Sequence, residues 1–156
     1  MSDGSALTET TNRRTSYPSA LPRDVETFVT AYGIERTGGA IPLGWGRRRR
    51  RRPGRCYEAA GQYYREDGVA YAEGRALCES GWLPHAWLVR ADGIVIDLAW
   101  RTPGQRYLGI ELPDRVVEDA HRILGHYGPL LPAVVRSLYW RPALPRRLSM
   151  ATADAP

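Results

Sequence analysis

Residues 83–98 contain two short apolar runs, Leu83-Pro84-His85-Ala86-Trp87-Leu88-Val89 and Ile94-Val95-Ile96-Asp97-Leu98, separated by Arg90-Ala91-Asp92-Gly93. Runs of this length around an Asp-Gly pair signal a β-hairpin. Successive strand side chains point to opposite faces, so the pairing register decides which residues share a face. With Asp92-Gly93 as a two-residue turn, Ala91 would oppose Ile94, and His85 and Asp97 would fall on opposite sides. With Ala91-Asp92-Gly93 as a three-residue loop and Gly93 left-handed, Arg90 opposes Ile94, and Asp97 opposes Trp87, diagonal to His85 on one face. The second register is expected. Both faces are then largely apolar: Ala86, Leu88, Ile94 and Ile96 on one, Trp87, Val89 and Val95 beside His85 and Asp97 on the other. Such a sheet must be covered on both sides.

A histidine diagonal to an aspartate is a base with an orienting carboxylate, and Cys56 supplies a candidate nucleophile upstream. Cys56 follows the Pro53-Gly54 break and opens Cys56-Tyr57-Glu58-Ala59-Ala60-Gly61-Gln62-Tyr63-Tyr64, which reads as the start of a helix. Unpaired N–H groups and the peptide dipoles of a first turn favour a thiolate there, and a neighbouring imidazolium adds to the effect. The same N–H groups suit a tetrahedral oxyanion. Each residue also has a packing reading. A lone cysteine is most often a small buried hydrophobe, a histidine on an apolar strand a satisfied core residue, and an aspartate at a strand end a cap. The three in this order, with compatible parity, favour catalysis.

The order Cys, His, Asp, with the cysteine heading a helix and the other two on adjacent strands, resembles the papain-like superfamily, and most of all its transglutaminase-like branch. His85-Ala86-Trp87 and Asp97-Leu98-Ala99-Trp100 are similar to the His-Ala-Trp and Asp-x-x-Trp contexts of that branch. The resemblance runs from about Arg55 to Leu112. It implies Cys56 as nucleophile, His85 as general base and acid, and Asp97 as orienting carboxylate, in a cysteine peptidase, amidase or transglutaminase-like enzyme acting on a peptide or amide without a cofactor. A papain-type oxyanion glutamine is expected upstream of the cysteine, yet no Gln precedes Cys56. Trp45 is the one upstream tryptophan available for that role.

The other candidates are weaker. Cys78 adjoins a polar turn and reads as a passive thiol. Cys56, Cys78, His85, His121 and Asp97 show no close metal-ligand spacing, and His121 and His126, five apart, do not share a helix face, so no metal is expected. Two cysteines make no disulfide framework, which suits a reducing compartment. With neither an apolar run long enough to span a membrane nor a hydrophobic leader, a cytoplasmic protein is expected. The net charge of +5 owes much to Arg47, Arg48, Arg49, Arg50, Arg51 and Arg52. A like-charge block of this kind is ordinarily solvated and binds polyanions weakly and nonspecifically. Without a recognition helix or interleaved aromatics beside it, it reads as a low-complexity insertion rather than a nucleic-acid-binding module. A catalytically silent interaction domain is the other alternative.

The 156 residues suffice for one domain with tails. A disordered tail is expected over 1–16, a single domain over 17–141 with a Gly/Arg-rich loop at 38–54, and a loose tail over 142–156. The fold expected is α+β, a small antiparallel sheet packed against the helix that bears Cys56. Helices are expected over Pro22–Tyr32, Cys56–Glu66, about Asp114–Gly125 and Pro129–Tyr139, and strands over Val69–Ala76 and Gln105–Leu112 beside the hairpin. Asp114 would cap the third helix, and Val116, Val117, Ala120, Ile123 and Leu124 would form its apolar stripe.

Overall fold

The computed structural model describes residues 24–41, 45, 54–66 and 68–139. The expected tails, and most of the 38–54 loop with Arg47 to Arg52, lie outside them. The described elements are α1 (Val25–Tyr32), β1 (Ile34–Thr37), α2 (Cys56–Tyr63), β2 (Val69–Cys78), β3 (Gly81–Arg90), β4 (Val95–Ile96), β5 (Arg106–Leu112), α3 (Asp114–Leu124) and α4 (Leu131–Tyr139). The architecture is α+β. One five-stranded sheet runs in the order β1-β5-β2-β3-β4, with every strand pair antiparallel.

The hairpin adopts the three-residue loop. Leu88 pairs with Ile96 and Val89 with Val95, the register the three-residue loop sets. Gly93 has φ +83°, its N–H donates to the Arg90 carbonyl at 2.8 Å, and the Arg90 N–H donates to the Ile94 carbonyl at 2.9 Å. A left-handed residue is required at this place, and glycine adopts it without a Cβ clash.

The sheet curls until its edges meet. Gly38, just after the edge strand β1, bridges Val95 of the opposite edge strand β4. One sheet face thereby becomes an interior holding Ala72, Ala76, Trp87, Val89, Val95 and Tyr107. Small residues on β2 and β5 make the room: a Cβ on Gly109 would lie 2.5 Å from the Trp87 ring. The other face packs Tyr71, Ala86, Leu88, Ile96 and Leu112 against Val29 of α1, Ala59 and Ala60 of α2, Val117 of α3 and Leu131 of α4. The sheet is thus covered on both sides, and the helix that begins at Cys56 lies against it.

Several local expectations are corrected. Strand β1 was not expected; it is short, and its burial does not alternate as a half-buried strand's would. Helix α1 begins at Val25, because Asp24 caps it by accepting the Thr27 N–H at 2.7 Å. Helix α2 ends at Tyr63, and β4 is two residues long, so Asp97 follows the strand rather than lying in it. Pro113 occupies the N-cap of α3, with Asp114 already in the first turn. The apolar stripe of α3 reaches the core only in part: Val117 is buried, but Ile123 is 77% exposed and Leu124 is also exposed. Ile94 is exposed too, at the mouth of the hairpin.

Candidate active site

Among the described residues, the short β4 leaves the first part of β3 unpaired on that side, and His85 lies on this stretch. Its Nε2 meets Asp97 Oδ2 at 2.9 Å, and the Cys56 side chain lies close enough to the ring to help raise its pKa. Cys56, His85 and Asp97, 41 residues apart along the chain from first to last, therefore form one cluster, with exposures of 6%, 2% and 0%. Cys56 is the first residue of α2. Arg55 at its N-cap makes no side-chain capping bond, so the first-turn N–H groups carry no such cap.

Asp97 is held by four donors. Oδ1 accepts from the Ala99 N–H at 2.9 Å and the Trp100 N–H at 3.1 Å, the local turn that ends the hairpin arm. Oδ2 accepts from the Tyr107 hydroxyl at 2.8 Å as well as from His85. Burial raises the Asp97 pKa, but the hydrogen bonds from His85 and Tyr107 and the charge of His85 outweigh it and hold the carboxyl below its ordinary range. An ionised carboxylate obliges His85 to donate through Nε2, which leaves Nδ1 as the acceptor nitrogen of the neutral ring. For His85, burial lowers the pKa, but hydrogen bonds to Asp97 and Cys56 and their charges prevail and raise it to about 9.

Trp100 lies against the imidazole, its ring centroid 4.0 Å away and nearly parallel. Trp100 also lines a cleft of about 610 Å³ with Leu83, Pro103 and Cys78. The wall of that cleft is thus one ring away from His85. No protein-family model, curated protein or solved structure matches this chain.

Trp45 is not in this cluster. It packs edge-on to Tyr63, ring centroids 6.3 Å apart, at the last residue of α2. Seven residues of helix separate Tyr63 from Cys56, roughly 10 Å of axial rise, so this ring contact lies at the opposite end of α2 from the thiol. Cys78 lies apart from the cluster, its Sγ 3.1 Å from Ser80 Oγ and donating to the Gly81 carbonyl at 3.4 Å. His121 packs between Tyr64, Tyr71 and Tyr127, while His126 lies beyond the end of α3 and binds the Leu124 carbonyl at 2.8 Å. Among the described residues no group of three His, Cys, Asp or Glu side chains is placed to hold a metal. No described helix is long and apolar enough to cross a membrane.

Tyr107 and Glu73 had no sequence signal as polar anchors. Tyr107 alternates with apolar neighbours on β5 and reads as core. Glu73 reads as the polar face of β2, yet it is buried, accepting the Leu130 N–H at 2.8 Å, the Leu131 N–H at 2.9 Å and the Tyr71 hydroxyl at 2.5 Å. It thereby satisfies the free amides at the start of α4.

Proposed function

We propose that this protein is a thiol acyltransferase of papain-like or transglutaminase-like organisation, cleaving an amide bond through Cys56, His85 and Asp97. The observation that carries the reading is the buried His85–Asp97 pair, Nε2 to Oδ2 at 2.9 Å, with Cys56 at the head of a helix near enough to influence the imidazole. His85 takes the Cys56 proton on Nδ1, and the thiolate attacks the amide carbonyl to form a C–S bond. The tetrahedral oxyanion is stabilised by first-turn N–H groups of α2, in place of the absent glutamine and of Trp45. His85 then returns its proton to the nitrogen as the C–N bond breaks, and the amine leaves. Water, activated by His85, cleaves the thioester and restores the thiol. Hydrolysis is the favoured outcome because water is always present.

Mixing the protein with p-nitrophenyl acetate should release one equivalent of nitrophenol in a burst and add an acetyl group to the peptide containing Cys56. The His85→Ala variant should slow that acylation by about 100-fold or more, the usual range for a general base. Acylation of Cys56 at the rate of Cys78, or at an equal rate in the variant, would overturn the proposal.

A further inference from the structure

Tyr107 stands on β5, and its hydroxyl has two fixed partners. The buried Gly104 N–H donates to it at 2.6 Å, and it donates to Asp97 Oδ2 at 2.8 Å. With the amide occupying one side of the oxygen, the single phenolic proton is directed at the carboxylate. That oxygen is the one that also receives His85 Nε2. Both oxygens of Asp97 are therefore surrounded by donors, and a proton on Asp97 would displace one of them. The ring of Tyr107 is buried against Trp87, centroids 5.1 Å apart, so the hydroxyl has little freedom to turn away.

We propose that Tyr107 is a positioning residue of this site: its hydroxyl, oriented by the Gly104 amide, keeps Asp97 a carboxylate, fixes His85 in the Nε2–H tautomer, and shares the negative charge that His85 senses. The proposal rests on the triad reading above. Tyr107 touches neither Cys56 nor a substrate and acts through Asp97. The ionisable groups around the pair are Cys56 from α2, His85 from β3 and Tyr107 itself from β5. The raised pKa of Tyr107, caused by burial and then by the Asp97 charge, keeps the phenol a donor over the working range. Because two donors divide one carboxylate oxygen, weakening the phenol strengthens the hold of Asp97 on the imidazolium proton. Strengthening the phenol loosens it.

Nitrogen-15 NMR of the histidines reads this without any activity. In the parent protein, neutral His85 should show a protonated Nε2 and an unprotonated Nδ1. In Tyr107→Phe, which retains the ring, the His85 midpoint should rise by about one to two pH units, the scale of a hydrogen bond to a charged group. Since that variant strands the Gly104 amide, 3-fluorotyrosine at position 107, a stronger donor of nearly the same shape, serves as the second arm and should move the midpoint down. Unchanged midpoints in both arms, or shifts of the same sign, would overturn the role of Tyr107. A Cys56→Ala variant tests the underlying triad separately: if the His85 titration ignores it, the Cys56–His85 pairing fails whatever Tyr107 does.

Discussion

The surroundings of His85 are asymmetric: Asp97 secures its Nε2, and the proposed chemistry needs the other nitrogen to accept a proton. The pKa of about 9 for His85 in the fold, against an ordinary value of 6.5, has a consequence for stability. A raised value means the folded state binds the proton more tightly, so the stabilisation is complete below pH 6.5 and is lost as pH climbs to about 9. Urea unfolding should therefore show stability falling by roughly 3 kcal/mol across that window, and His85→Gln should flatten the fall. Stability rising there would contradict the account. Cys56, His85 and Asp97 were legible because nucleophile, base and carboxylate are chemically distinct types, and strand parity is local. Tyr107 was not, because its partner Asp97 is reached through a β5 placement that no local pattern encodes.

At the scale of the element, the hairpin loop sets the register that puts His85 and Asp97 on one face. Gly93→Ala should destabilise the protein by about 1–2 kcal/mol, the ordinary cost of a left-handed residue with a Cβ, and the added methyl would also approach Arg36 Nη1 to 2.6 Å. A thermal melt unchanged by that substitution would contradict the loop assignment. Helix α4 depends on an element far away in sequence, the Glu73 carboxylate of β2. Glu73→Ala would strand two amides and the Tyr71 hydroxyl and should cost roughly 3 kcal/mol or more, while Glu73→Gln, which retains an acceptor, should cost much less. Equal losses in the two variants would contradict the capping role. Gly125, left-handed at φ +69° after α3, was readable from residue type. The start of α4 was not, because its cap comes from β2 rather than from the residues before it.

For the whole molecule, the decisive event is the closure of the sheet through Gly38 and Val95. It turns one face into an interior where Trp87, Tyr107 and Trp100 crowd around His85 and Asp97 and exclude water. The hairpin and its doubly apolar faces announced a covered sheet, but closure joins residues 57 positions apart and leaves no local trace. The arginine run from Arg47 to Arg52 plays no part in this account of the chemistry. Replacing its six arginines with serine should abolish salt-sensitive retention on heparin while leaving the reactivity of Cys56 unaltered. A loss of that reactivity would make the run part of the site.

The most direct test of the central claim, that Cys56 and His85 act as one unit, is the pH dependence of iodoacetamide alkylation at Cys56 and Cys78. It is read by mass spectrometry in the parent protein and in His85→Ala. The account predicts that Cys56 is alkylated at a pH well below that needed for Cys78, and that His85→Ala removes the difference. Alkylation of Cys56 that follows Cys78, or that is indifferent to His85, would make the cluster a packing arrangement and not an active site.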